Sequence, residues 1–318
     1  MGYLRNLLGL ERQKELPGLA SAIERAVNRV EPHLKQIGGY PKAFHKPVTS
    51  ALEYSRSLAA LIPGPVEINR AAYAQIPFVH ALFPSVDFIH EGLCSSLAMR
   101  NFHVQNPASR EVYALMGMRR WEKNTVGMEL HGQVLRRDVL QHIVYFTNHT
   151  LENPSTSIEE TRELISWSIF DKLIDLVAKR IEARKHEKSD LLRQNDLLMA
   201  RLHEANEQTR PALAEEVANM LTKIQEHVAL LEFRYYVHDF EAVLLNPDQH
   251  LRLERTSMYL DDMGVRREPG EGAGKPVEFD DLIGFDRRQW TVTLVHCSDF
   301  HVEPYADMLD AAYRRLSI

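Results

Sequence analysis

Cysteine is nearly absent. Cys94 and Cys297 are the only two in 318 residues, far apart in a chain long enough to bury a core without covalent staples. Both read as reduced thiols, which points to a reducing compartment and a cytoplasmic protein. Long apolar runs are missing too. The richest stretch, residues 76–97, is cut by Pro84, Asp87, His90 and Glu91, and falls short of the ~20 apolar residues that a membrane-spanning helix needs. The opening MGYLRNLLGLERQ has one short apolar patch and then charges, without the apolar core and small-residue cleavage site of an export signal. There is no excess of positive charge. Lys and Arg total 38 against 44 Asp and Glu, a formal net charge of -6. That argues against a general binder of nucleic acid or anionic membrane, because phosphate neutralisation needs clustered cations. No Ser-His-Asp order, nucleophile elbow, dinucleotide fingerprint or HExxH occurs, so no recognised motif requires a cofactor and an enzyme is the less favoured class. Internal repeats and low-complexity tracts are absent as well.

A hydrophobic content of 44% does suffice for ordinary cores. Leu19, Ile23, Ala26, Val27, Val30, Leu34 and Ile37 recur at three- and four-residue spacing, which predicts a helix with one buried face, stopped at Gly38-Gly39. A second helix is expected from Val48 to Ile62, ended by Pro63-Gly64-Pro65, with short helices following to about Asn101. From Glu111 the helical period is lost. A hairpin turning at Arg136-Arg137 would set Val134 opposite Val139, Leu130 opposite Ile143 and Met128 opposite Tyr145, one apolar face. Arg-Arg is a poor two-residue turn, which prefers Gly or Asn. A helix over 126–147 stays open, because His131, Asp138, His142 and His149 would then share a face.

The plainest signal follows Pro154. Ser155, Thr156 and Ser157 offer capping hydroxyls, and Glu159 and Glu160 suit the positive end of a helix dipole. Phe170, Ile174, Val177, Ile181, Arg184, Lys188, Leu191, Asn195, Leu198, Leu202 and Ala205 alternate four and three apart, a coiled-coil seam. Pro211 fits only the first turn of a new helix, so the chain reverses near 206–210. A returning seam is read at Ala214, Val217, Leu221, Ile224, Val228, Leu231, Tyr235, His238, Ala242 and Leu245. Strand alternation resumes at Leu251 and Leu253 and at Trp290, Val292, Leu294 and His296, and an amphipathic helix is expected over 304–316. The expected fold is α+β and mostly helical. It comprises an N-terminal helical domain (1–105) and a small antiparallel β-domain in two parts (106–154 and 248–318), interrupted by a long antiparallel coiled-coil-like hairpin (155–247).

Candidate sites each have a plainer explanation. The loop Gly270–Lys275 is glycine-rich, but Pro276 stands where a phosphate loop needs Ser or Thr, so a solvated loop is expected. His131 and His142, or Cys297, Asp299 and His301, have metal-ligating side chains without an established spacing. His80, Asp87, His90 and Glu91 form a carboxylate/imidazole group suited in type to acid–base work, or simply a polar helix face. Arginines recur in pairs, and Arg119-Arg120, Arg136-Arg137 and Arg287-Arg288 can converge on an anion or merely keep hairpin tips soluble. Arg184 and Lys188 sit poorly in a dry seam and suit a partner's carboxylates, while Asn195 suits a register-fixing seam position. The reading that follows is a non-enzymatic adaptor or scaffold whose protruding hairpin binds a protein partner or a second copy. Its alternatives are a sensor of an anionic ligand or nucleotide through the paired arginines, and a metal-dependent enzyme using a His/Asp/Glu cluster.

Overall fold

The structure, a computed structural model, describes residues 18–89, 96–131, 134–230, 233–270 and 274–298. The chain divides into two compact units: Met1–Ser55 with Ser168–Asp248, and Arg56–Trp167 with Gln249–Ile318.

The first unit is helical. In α1 (Leu19–Val30) the buried residues Leu19, Ala22, Ile23, Ala26 and Val27 make one stripe, and the helix stops before Pro32, which opens a short 3-10 turn. It is joined by α2 (Lys42–Leu61), α6 (Ile158–Glu204), α7 (Arg210–Leu230) and α8 (Phe233–Leu244). Of α2 and α6, only the parts up to Ser55 and from Ser168 belong here. Phe44 and Phe240 meet edge to face with centroids 5.0 Å apart, beside buried Ile23, Leu52, Phe170, Ile174 and Val243. Each such side chain contributes about 1.5–3 kcal/mol by leaving water. Two ion pairs align α1 with α6. Arg25 grips Asp171 and Arg29 grips Asp175, one helical turn further along each helix, so the two helices run parallel. Burial along α6 is nearly all-round from Ile169 to Ile181 and then falls to a single stripe.

The second unit is built on a seven-stranded sheet in the order β3-β2-β7-β6-β4-β5, with β1 paired to β7. The strands are β1 (Val66–Glu67), β2 (Glu111–His131), β3 (Val134–Ser155), β4 (Leu251–Leu260), β5 (Arg266–Arg267), β6 (Lys275–Gly284) and β7 (Gln289–Ser298). One face is covered by α3 (Arg70–Gln75), α4 (Pro77–Leu82) and α5 (Leu97–Gln105). Val79, Leu82, Met99 and Phe102 meet Val112, Ala114, Met116, Met118, Phe279 and Val295 in the core beneath them. Gly64 has φ +106 and lies against the Leu294 carbonyl, too close for any Cβ. Its neighbour Pro63 accepts the Leu294 N–H at 2.8 Å, which seats β1 beside β7.

Strands β2 and β3 are far longer than a usual strand, 21 and 22 residues. They stay paired through three register shifts. At each shift β3 holds one extra residue, next to Asp138, Asn148 or Asn153 in the left-handed region with φ 62, 55 and 53. Asp and Asn tolerate that conformation better than other residues with a side chain, so these bulges are written in the sequence. Beyond Met118, β2 leaves β7 and pairs with β3 alone, forming a two-stranded ribbon.

The expected fold class is overturned. The sheet is large, not small, and it is not wholly antiparallel, since Val66 and Glu67 run parallel to Val295 and His296. The helices of the first hundred residues do not form one body, because α1 and the start of α2 belong with the long helices. The register expected from a turn at Arg136-Arg137 does not form: Val134 is the register partner of His131, and Arg136 already pairs with Glu129 within the ladder. Residues 126–147 are strand with no helix, apart from the undescribed pair 132–133.

Candidate functional site

Past Ile181 the least exposed positions of α6 are Arg184, Lys188, Leu191, Asn195, Leu198 and Leu202. This is the stripe that the heptad spacing predicts. The helix starts at Ile158 behind Ser157, whose hydroxyl accepts the Glu160 N–H. After Glu204 the chain turns around Asn206, whose side-chain oxygen accepts from the N–H groups of Gln208 and Thr209 and from the Thr209 hydroxyl. On α7 the sheltered residues are Leu213, Val217, Met220 and Ile224, not the expected Ala214 and Leu221. The pairs Leu202 and Leu213, Leu198 and Val217, Asn195 and Met220, and Leu191 and Ile224 are each equidistant from the turn, as antiparallel arms require. The Asn195 side-chain oxygen is buried there without a hydrogen-bond partner.

With the seam so placed, the flanking positions sort by chemistry. Beyond Lys188, one flank holds Leu192 and Met199 on α6 and Ala214 and Leu221 on α7; the other holds Gln194 and Arg201 with Glu216 and Lys223. Leu192, Met199 and Leu221 are 41%, 49% and 45% exposed. Two helices side by side bury one seam, so an apolar second stripe is unshielded surface. A separate exposed apolar patch, Val126, Met128 and Leu140, lies on the ribbon of the other unit.

Closer to the unit's core, the seam residue Arg184 and its neighbour Lys185 are internally paired, while the seam residue Lys188 has no ion pair among the described residues. Arg184 donates to both oxygens of Asp239 at 2.6 and 2.9 Å; it is therefore engaged within the fold and not offered to a partner's carboxylate. Burial raises the Asp239 carboxyl above its ordinary range, against the pull of Arg184. Lys185 donates to Glu31 at 2.6 Å, and that hydrogen bond is the largest reason the Glu31 carboxyl is held down to about 2. A depressed carboxyl contributes stability above its unfolded value of 4.5 and loses it as pH falls toward 2. Glu31→Gln is accordingly expected to cost about 1–2 kcal/mol at neutral pH, after allowance for the half-exposed lysine, and to flatten acid destabilisation below pH 4.5. Urea unfolding across that range measures it, and an unchanged acid limb speaks against the pair.

The paired arginines do not converge, for a simple reason: neighbours on a strand point to opposite faces. Arg119 lies between the rings of Trp121 and Trp290, 5.9 and 5.8 Å from their centroids. Arg120 turns the other way, to Asp281 at 3.0 Å. Arg136 and Arg137 are exposed beside the bulge at Asp138. Arg287 occupies a left-handed turn and Arg288 pairs with Asp286 at 3.1 Å.

The metal candidates disperse as well. His142 is the register partner of Asn124, not of His131, and bonds Asn124 and Glu122 at 2.8 and 2.9 Å. Cys297 is buried in the helix-covered core, while Asp299 and His301 lie outside the described residues. His80 bonds the Asp262 carbonyl at 3.1 Å, Asp87 is 3.9 Å from Arg70, and His90 and Glu91 are undescribed. His149 stacks on Phe83 with its imidazole pKa lowered by burial. Among the described residues no three His, Cys, Asp or Glu side chains are placed to hold a metal ion. What spacing missed is Glu67, which accepts from Ser298 at 2.5 Å and bonds His296 at 2.6 Å beneath the stacked ring of Tyr113. A two-residue strand 229 positions away leaves no periodic trace.

Among the described residues no helix is long and apolar enough to cross a membrane. Compared with known proteins, the chain matches no family model, no curated protein and no solved structure.

Proposed function

We propose that the chain is a non-enzymatic interaction protein that self-associates through the distal α6–α7 hairpin, the apolar flank of one copy covering that of another. The observation that supports this is the sorting of the flanks: Leu192, Met199, Ala214 and Leu221 on one side, charged and amide side chains on the other. Solubility alone favours polar residues on both sides, whereas a third and fourth helix need an apolar one. A two-fold pair of hairpins makes a four-helix arrangement in which both copies use the same surface. The unpaired oxygen of Asn195 fits this setting, since a lone seam amide fixes register when it finds a partner.

Leu192→Glu with Leu221→Glu is expected to weaken self-association about a hundredfold or more, from two apolar contacts of about 1.5–3 kcal/mol each. Gln194→Glu, on the polar flank, leaves it unchanged. Sedimentation equilibrium of the full-length chain decides. A wild-type monomer at concentrations on the order of 100 µM, where a stable dimer persists, or a double variant as dimeric as the wild type, ends this reading.

A further inference from the structure

The ribbon carries a second surface of different chemistry. Alternation from the core residues Met116 and Met118 assigns Arg119, Trp121, Lys123 and Thr125 of β2 to the face away from the helices. Their register partners are Thr147, Tyr145, Ile143 and Gln141. Trp121 and Tyr145 are direct partners and are 46% and 42% exposed, so two aromatic rings stand side by side on open sheet. The indole is oriented, because its N–H donates to the Thr147 hydroxyl at 2.9 Å. Arg119 extends the row by placing its guanidinium between Trp121 and Trp290. Neither Arg119 nor Lys123 has a carboxylate partner among the described residues, whereas Arg120 on the opposite face is neutralised by Asp281. None of these eight face residues is Asp or Glu.

We propose that this face binds single-stranded nucleic acid, with bases stacked on Trp121 and Tyr145 and phosphates beside Arg119 and Lys123. Exposed rings on a sheet give every base a π-face to stack on, and flanking cations track the backbone. An acidic peptide meets the cations but gains little from the paired rings. Duplex hides its base faces and meets only the charge. The net charge of -6 belongs to the whole chain and leaves a local patch of this kind possible, with modest affinity and marked salt dependence.

The test uses the full-length protein and a fluorescein-labelled oligouridylate in fluorescence anisotropy. Saturable binding is expected, with a duplex of equal length far weaker. Trp121→Ala and Tyr145→Ala should each weaken it about tenfold or more, as lost stacking does. Trp121→Phe, which keeps a ring, should restore most of the loss and controls for folding. Lys123→Gln should lower the salt slope by about one. The proposal is overturned by absence of binding, by binding that ignores both ring substitutions, or by equal affinity for duplex or for a poly-glutamate peptide.

Discussion

Arg184→Met should lower the stability of the fold by about 3–5 kcal/mol, because it strands a buried carboxylate. Asp239 is 2% exposed and lies among buried Tyr236, Phe240 and Val243, and Arg184 answers both of its oxygens. Methionine fills much of the arginine stem's volume, so the loss reads out the charge and not a cavity. Arg180 and His238 also favour the ionised form, which keeps the expected figure at the lower part of that range. Sign and pH follow from linkage. Removing the guanidinium raises an already raised carboxyl further, so the folded state takes up a proton that the unfolded state releases. The deficit is therefore largest at neutral pH and shrinks as pH falls through the new value. Arg184→Met with Asp239→Leu should recover most of the stability, since an apolar pair of similar volume commonly replaces a buried ion pair without loss. Urea denaturation of the three proteins at pH near 7 and near 5 measures all of this. A single variant losing under about 1 kcal/mol would show the pair to be solvent-screened.

Arg184 also shows what one sequence conceals. Its place in the seam is legible from spacing, but its partner is 55 residues away on a helix whose phase was misread by one position. Tyr235 and His238 were expected to face inward, yet Tyr236, Asp239 and Phe240 do. The same slip occurs on α7, and it has a cause. Leu213 adjoins Ala214 and Met220 adjoins Leu221, so two neighbouring apolar stripes satisfy the heptad equally well. Packing chose one, and the other became the exposed flank. In the sheet, strand character over 111–155 was legible but the pairing was not, because each bulge displaces the register and a strict two-residue period cannot represent it. Arginine pairs misled for a geometric reason, since adjacency along a strand means separation across it.

The root of the ribbon holds the second large effect. Arg120 is the core-facing residue just past Met118, where the pairing of β2 with β7 ends. There Asp281 of β6, fully buried, accepts from Arg120 at 3.0 Å, from Thr291 at 2.6 Å and from Thr256 at 3.3 Å. One carboxylate thus ties β2, β4, β6 and β7 together. The guanidinium also lies 5.9 Å from the Phe279 centroid, its Nη1 is buried without a hydrogen-bond partner, and Glu122 is 3.5 Å from its Nε, so Asp281 is the nearer of two carboxylates that offset its charge. Asp281→Ala should cost about 3–5 kcal/mol, leaving a buried cation with only Glu122 at 3.5 Å and two hydroxyls without their acceptor. Asp281→Asn should cost less, since an amide oxygen still accepts from Thr291. The position of the loss is as informative as its size. Hydrogen exchange should accelerate first in residues 119–131 and 134–143, whose strand pairing beyond this point is that of β2 with β3 and the bridge of Ile143 to Val265, while the helical unit keeps its protection. Arg184→Met should do the reverse. If Asp281→Ala instead loosens both units equally, the carboxylate supports the whole fold and does not specifically clamp the ribbon that carries Trp121 and Tyr145.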